Sequence, residues 1–445
     1  MCRQGAGTES TTAVEVLDWS LLSGPIPPVL GVLAAGSGGW LLWRIRRPAP
    51  VRVLALCVLA SAAATVVLVY LARRVLRLFP DQLTPPVYAW IATAVLALAV
   101  AVVGISRDRR VLPSIAAMTA VVLVTACCAN QINRFYEAYP AVRDTLGIDN
   151  RHQIPFAELP PPAPVHHTER PIEKYWHPRI PAPAHGQLTA TVIPAPASGF
   201  ATRPAEIYLP PAYFADPRPV LPVLVLIPGQ PGGPRDWITA GRLAALMDDF
   251  ASAHRGLAPV VVVADATGSH FANPLCLDSK LGKSATYLGV DLPAWVKTHL
   301  NVDSNPSAWA VGGFSYGGTC ALQLATNFPQ VYPTFLDISG DAEPSLGDLQ
   351  TTIDAAFGGD AAALARVDPL DLLRTRTFTG SAGAIVAGSS DDDAKTTAHI
   401  VLQATRAGGM DTHYTEVSGR HDWGAARSAL TKELPWVATR TGLIG

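Results

Sequence analysis

Four long apolar runs fill the first 130 residues of the chain and restrict its fold more than any other feature. A helix needs about 20 apolar residues to cross a bilayer core of about 30 Å. The stretches Leu21 to Trp43, Val51 to Leu71, Val87 to Ile105 and Val111 to Ala129 all reach that length. None carries a charge near its middle, where Arg or Asp costs about 3 kcal/mol. Trp40, Trp43, Tyr70, Tyr88 and Trp90 fall near the run ends, where aromatic belts form at the lipid–water boundary. The runs also lack the amphipathic period of helices packed on a soluble core. Residues 1–132 are therefore expected to form a transmembrane region of about four helices. Pro25, Pro27 and Pro28 leave the start of the first helix open. Glu9, Glu15 and Asp18, with no basic segment before a short apolar core, argue against a cleavable signal peptide.

Orientation follows from Arg in the short loops. Arg44, Arg46, Arg47 and Arg52 flank the first loop, and Arg107, Arg109 and Arg110 the third. Arg73, Arg74 and Arg77 follow the second run, and the N-terminal tail has Arg3 alone. The first and third loops together are the more basic, so they are expected in the cytoplasm, with both chain ends outside. An even number of spans keeps the two ends on one side in either orientation. This gives a multi-pass protein of the cytoplasmic membrane whose C-terminal part is extracytoplasmic.

Of the 445 residues only 16% are charged, which fits lipid-facing surface, and a net charge of -1 gives no electrostatic case for a nucleic-acid partner. The length leaves room for two or three domains. From residue 133 to 185 the chain becomes polar and proline-rich (ELPPPAPVHH, then HPRIPAPAHG), as in a semi-rigid spacer. Tyr175 and Trp176 are candidates to pack on the domain that follows. His166 and His167 could ligate a metal, but two histidines in a proline-rich tract read as solvated. No CxxC pair or Cys/His ligand spacing occurs, so neither a metal nor a cofactor is expected. Cys276 and Cys320 form a disulfide if this part is exported, or two separate buried thiols; the spacing leaves both open.

Residues 186–445 alternate strand and helix patterns. Gln187 to Ile193, Ala205 to Leu209, Pro222 to Ile227, Val260 to Ala264, Ala308 to Gly312, Phe335 to Ile338, Ala384 to Ala387 and Thr412 to Val417 read as strands. Arg242 to Ala253, Tyr287 to His299, Tyr316 to about Phe328, and Ala425 to Ala438 read as helices. Continuous apolar strands alternating with helices predict an α/β domain with a mostly parallel sheet covered on both faces.

Within it stands Gly313-Phe314-Ser315-Tyr316-Gly317, a G-x-S-x-G motif between an apolar strand and a helical period. The motif alone arises by chance; in this context it predicts a strained turn that presents Ser315 as a nucleophile at a helix N-terminus. A serine hydroxyl needs a base, and the base an orienting carboxylate. His421, in the loop between the last strand and the last helix, is the expected base; His399 and His413 read as structural. Asp391 lies nearest the end of the Ala384 to Ala387 strand and is the favoured acid. Asp392 is its rival, and Asp337 and Asp341 are less favoured because they belong to the preceding strand. The oxyanion is expected to face the backbone N–H groups of Tyr316 and Gln230, since Pro231 has none to give.

PVLVLIPGQPGG, YLGVDLPAWVKTHLNV, WAVGGFSYGGTCALQLATNFPQVYPTFLDISGD and GRHDW resemble the putative-esterase family of α/β-hydrolases. That family includes feruloyl esterases, esterase D-type enzymes and mycolyltransferases. The resemblance runs from about Gly186 to Trp436. It implies an α/β-hydrolase fold and covalent acyl transfer by a Ser–Asp/Glu–His triad, with Ser315 and His421 on matching motifs and Asp391 carried by the G-S-S-D segment. Pro228-Gly229 stands where many members have His-Gly, and membrane spans stand where members have a secretion signal. The function expected is a membrane-anchored serine esterase or acyltransferase acting on acyl esters, with cell-envelope lipids as candidate substrates. The competing reading is an inactive hydrolase-fold scaffold on a membrane anchor, against which the intact Ser, Asp, His order argues. A third, a transporter or sensor with an accessory esterase domain, lacks an intramembrane charge to mark a path.

Overall fold

The computed structural model describes residues 16–46, 50–75, 83–148, 153–162, 169–180 and 182–445. Cys2, Arg3, Glu9, Glu15, Arg47, Arg77, His166 and His167 lie outside the described residues, as do the side chains of Arg73 and Arg74. The chain divides into two compact units, Met1–Asp149 and Asn150–Gly445.

In the first unit the apolar runs form helices α1 (Ile26–Arg44), α2 (Pro50–Tyr70), α3 (Pro85–Arg107) and α4 (Val111–Tyr136). All four are long and apolar enough to cross a membrane, with mean hydropathy from 1.4 to 2.5. Prolines fix two of the starts, because a first-turn residue needs no N–H and proline already holds a helical φ. This is why α1 begins at Ile26, five residues later than the hydropathy alone places it. Small residues are buried on both α3 and α4: Ala97, Ala101 and Gly104 on one, Ala117 and Ala120 on the other, with Gly104 facing Arg44 of α1. Small side chains let membrane helices approach closely. On the outer faces Val51, Leu56, Val66 and Leu112 are exposed, a surface that hydrocarbon would cover. Helix α4 runs on past Ala129 to Tyr136, so the boundary expected at residue 132 falls inside a helix. Asn133 then turns the chain, its side chain bonding both the N–H (2.7 Å) and the carbonyl (2.9 Å) of Tyr139.

The second unit is built on an eight-stranded sheet: β1 (Gln187–Thr191), β2 (Ala205–Leu209), β3 (Val223–Ile227), β4 (Val260–Val263), β5 (Trp309–Phe314), β6 (Thr334–Ile338), β7 (Ala382–Gly388) and β8 (Asp411–Val417). Their order across the sheet is β1-β2-β4-β3-β5-β6-β7-β8. The run from β4 to β8 is parallel, and β1 and β2 join antiparallel at one edge. Every residue of β3, β4, β5 and β6 is buried, as expected for strands covered on both faces. The covering helices include α5 (Leu243–Ala253), α6 (Leu292–His299), α7 (Tyr316–Asn327), α8 (Leu349–Phe357), α9 (Pro369–Thr375), α10 (Asp392–Ala407) and α11 (Trp423–Arg440). From β3 the chain goes to β4 on one side and then to β5 on the other. In parallel sheets this reversal opens a crevice beyond the strand C-termini, the usual place for a ligand.

Part of the tract 133–185 docks on the second unit, as expected for Trp176, while Tyr175 stays exposed. Within it, Ile172 and Trp176 are buried in the core of the second unit, Trp176 donates to the Pro217 carbonyl (2.8 Å), and the Arg170 guanidinium bonds Asp303 (2.5 Å). Short aromatic and aliphatic side chains set among prolines were enough to dock it. Residues 349–375, to which the sequence patterns above assign no element, form α8, α9 and a short helix between them. Their signals were present: Asp348, Asp360 and Asp368 each cap a helix through the side chain. α8 and the short helix bury Ile353, Ala356 and Leu364 against Leu275 and Leu277 from the loop after β4, while α9 packs into the main core.

Candidate active site

Ser315 is the single residue between β5 and α7 and holds φ 58°, ψ -120°, a conformation that L-residues rarely adopt. Its N–H donates to the Ile338 carbonyl on β6 (2.8 Å), and its carbonyl accepts from the N–H of Gly318 (2.8 Å) and Thr319 (3.1 Å). The bend is therefore pinned at both ends. The flanking glycines are a steric requirement. A Cβ on Gly313 would lie 2.6 Å from the Ile227 carbonyl oxygen, and one on Gly317 would lie 2.7 Å from the Ile227 carbonyl carbon. Gly317→Ala is expected to abolish the elbow and to cost several-fold more in melting temperature than Ala substitution at exposed Gly380, as read by thermal denaturation.

The turn after β3 passes beside this elbow: a Cβ built on Gly229 would stand 3.5 Å from that of Ser315. Gln230, next along the turn, is buried, and its side-chain amide donates to the Phe271 carbonyl (3.0 Å). Tyr316 opens α7, where a backbone N–H has no acceptor within the helix and the helix dipole favours negative charge. The N–H-bearing residues expected to face an oxyanion thus flank Ser315 from two sides.

His421 and Asp391 come from the ends of the neighbouring strands β8 and β7. The Nδ1 of His421 lies 2.8 Å from Oδ2 of Asp391. Asp391 also caps α10 through the Ala394 N–H (3.3 Å), which fixes its carboxylate. Two backbone bonds tie the loops together, Ser389 N–H to Val417 O (2.7 Å) and Ser390 N–H to Gly419 O (2.9 Å). The imidazole packs on the ring of Phe314, the residue before Ser315, with centroids 5.0 Å apart. The His–Asp pair therefore stands at the elbow and not across the sheet from it.

The remaining candidates separate cleanly. The Asp391 side chain is 9% exposed, whereas that of Asp392 is 92% exposed and pairs with Lys395 at 2.7 Å, which holds its carboxyl below the usual range. His399 packs on Tyr414, and His413 bonds Glu433 (2.8 Å) on α11. The Asp341 backbone N–H donates to Thr319 Oγ1 (2.7 Å). Asp337 is buried under the first turn of α7 and accepts from the Gly340 N–H (2.9 Å). Burial pushes its carboxyl up to about 7, against the lowering effect of that bond and with help from nearby Asp341. An unfolded Asp gives up its proton near pH 4, while the native one keeps it to near pH 7, so the native state loses stability as pH rises across that window. Asp337→Asn is expected to remove this part of the decline, giving a smaller drop in melting temperature between pH 5 and pH 8 than in the parent protein.

Cys276 and Cys320 form a disulfide with Cα atoms 5.5 Å apart, within the normal span, which settles the alternative left open by the sequence. Cys320 lies on α7, and Tyr316 Oη accepts from the Cys276 N–H (2.8 Å) and donates to the Ala266 carbonyl (3.3 Å). The loop after β4 is thus fastened to α7. Cross-linking positions 44 residues apart removes chain entropy from the unfolded state, and we expect Cys276→Ser to lose about 3 kcal/mol in denaturant titration and no longer to respond to reductant. Among the described residues, no group of three or more His, Cys, Asp or Glu is placed to hold a metal ion.

The sequence model of the family described as Putative esterase matches residues 201–437, more than half of the 445. The chain belongs to this esterase family. An uncharacterized protein of Corynebacterium glutamicum is 42% identical over 252 residues, 55% of this chain and 59% of that protein. The diacylglycerol acyltransferase/mycolyltransferase Ag85C of Mycobacterium leprae is 36% identical over 75 residues, 17% of this chain and 22% of that protein. The chain thus matches less than two thirds of either relative's length. Among solved structures, a ferulic acid esterase superposes with a TM-score of 0.50 at 18% identity, covering 58% of this chain and 99% of that one. It shares the fold of the esterase domain.

Proposed function

We propose that this chain is a membrane-anchored serine esterase or acyltransferase that acts on acyl esters outside the cytoplasmic membrane through Ser315, His421 and Asp391. The observation that carries the reading is the 2.8 Å contact between His421 and Asp391 beside a strained Ser315. His421 takes the Ser315 proton as the hydroxyl attacks the ester carbonyl. Charge develops on the carbonyl oxygen and is held by the N–H groups of Gln230 and Tyr316, each such donor contributing about 3 kcal/mol. Asp391 keeps the imidazole in the tautomer that can accept and stabilises the imidazolium that forms. His421 then protonates the leaving alcohol. In the second half, water or an acceptor hydroxyl gives its proton to His421 as it attacks and takes the acyl group, and His421 returns a proton to Ser315 as the acyl–oxygen bond breaks.

Two features support an extracytoplasmic domain. The disulfide belongs to the second unit, and such bonds persist in oxidising compartments. Among the described residues the free cysteines, Cys57, Cys127 and Cys128, lie on the apolar helices. A catalytic domain tethered at a membrane suits an acyl donor or acceptor held in the envelope. The likeness of a 75-residue stretch to a mycobacterial diacylglycerol acyltransferase/mycolyltransferase points the same way.

The test is reaction of the full-length protein in detergent with nitrophenyl esters of increasing chain length, with and without acceptor alcohols. Saturable hydrolysis or transfer that disappears on fluorophosphonate treatment is expected. No turnover and no fluorophosphonate adduct from folded protein would favour the scaffold reading. Protease added to intact spheroplasts should digest the second unit; protection there would reverse the orientation.

A further inference from the structure

The turn that carries Gln230 is rich in glycine and proline and has no ladder partner beyond the end of β3. Both local bonds and bonds from distant segments hold it. The Gly232 N–H donates to the His270 carbonyl (2.9 Å), and the Gly233 N–H to Asp236 Oδ2 (2.8 Å). The Gly232 carbonyl accepts from Nη1 of Arg203 at 2.9 Å.

Arg203 is itself locked. Its Nη2 bonds Asp265 Oδ1 (2.7 Å) and Thr267 Oγ1 (2.7 Å), its Nε bonds Asp265 Oδ2 (3.1 Å), and its backbone N–H bonds the same oxygen (2.7 Å). Asp265 is fully buried at the end of β4. Burial alone would raise its carboxyl, but the Arg203 bonds outweigh this and hold it below the usual range. The guanidinium thus grips a fixed anion with one edge and leaves Nη1 for the oxyanion turn. The approach is tight: a Cβ on Gly233 would stand 2.6 Å from that nitrogen.

We propose that Arg203 is a positioning residue for the oxyanion site, transmitting the fixed location of Asp265 to the Gln230 backbone through the Gly232 carbonyl. The inference rests on the serine-esterase reading above. Hydrogen-bond donors aimed at a developing charge work only when held in place beforehand, and a displacement of about 1 Å can cost about 100-fold in rate. Lysine keeps the positive charge for Asp265 but has no planar fork to reach both groups.

The experiment compares full-length protein with Arg203→Lys, using nitrophenyl ester kinetics normalised to active sites by burst titration. It adds the affinity of an alkyl boronic acid, which forms a tetrahedral anion on the serine. Arg203→Lys is expected to lower kcat per active site by 10- to 100-fold with KM within about twofold. Boronate binding should weaken in parallel, and the pH dependence of kcat should not move, since His421 and Asp391 are untouched. Asp265→Asn, which keeps the shape but weakens the grip, should show the same split to a smaller extent. A wild-type kcat per active site in Arg203→Lys, with any loss confined to the fraction of titratable sites, would overturn the proposal. Absence of a burst in the parent protein would instead fail the esterase reading itself.

Discussion

Ser315→Ala is expected to abolish fluorophosphonate labelling and to lower ester turnover by about 10⁶-fold, the scale on which a triad nucleophile acts. The size of the loss follows from chemistry that no neighbour can replace. The elbow geometry belongs to the backbone between β5 and α7 and survives the loss of one oxygen. The variant should therefore melt close to the parent protein while losing nearly all turnover. His399→Ala serves as the control, since that ring packs on Tyr414 away from the elbow, and its activity should stay within about twofold. Labelling that persists in Ser315→Ala would move the nucleophile elsewhere.

Asp391→Asn should follow with a fall of about 10⁴-fold in kcat at neutral pH, and Asp392→Asn should change it less than about twofold. Both carry the same charge one residue apart, so net charge cannot explain a difference between them. The difference comes from location: one carboxylate lies against Nδ1 of His421, and the other stands in solvent beside Lys395. An amide at 391 offers the ring an N–H where it needs an acceptor, and the imidazole turns to the tautomer that cannot take the serine proton. The Ala394 bond of the cap remains available to the amide oxygen, so the start of α10 should be kept. A larger loss in Asp392→Asn than in Asp391→Asn would exchange their roles.

Much of this was legible in the residues because the signals were local. Continuous apolar strands announced a sheet covered on both faces, and the glycines around Ser315 announced a bend in which a Cβ has no room. The choice between Asp391 and Asp392 was less secure, because adjacent carboxylates differ only in which one the N-terminal turn of α10 directs at His421. The pairing of Cys276 with Cys320 depends on how the loop after β4 folds over α7, which spacing does not encode. The Arg203–Asp265 bond joins positions 62 residues apart and left no mark in the sequence read one segment at a time. Trp176 was legible as a docking residue because an indole among prolines stands out, whereas Ile172, a lone aliphatic side chain in the same tract, was not. At the other end, α4 outran its hydropathy because Asn130, Gln131 and Asn133 continue the helix past its apolar run. Local patterns thus gave the elements and the chemistry they carry, while contacts between distant segments had to be seen in the fold.

The most direct measurement is peptide mapping by mass spectrometry of the full-length protein after reaction with a fluorophosphonate. A single phosphonyl adduct on Ser315, absent from protein unfolded beforehand, is the predicted result. An adduct on another residue, or none on protein that retains its Cys276–Cys320 bond and its cooperative melt, would contradict the account.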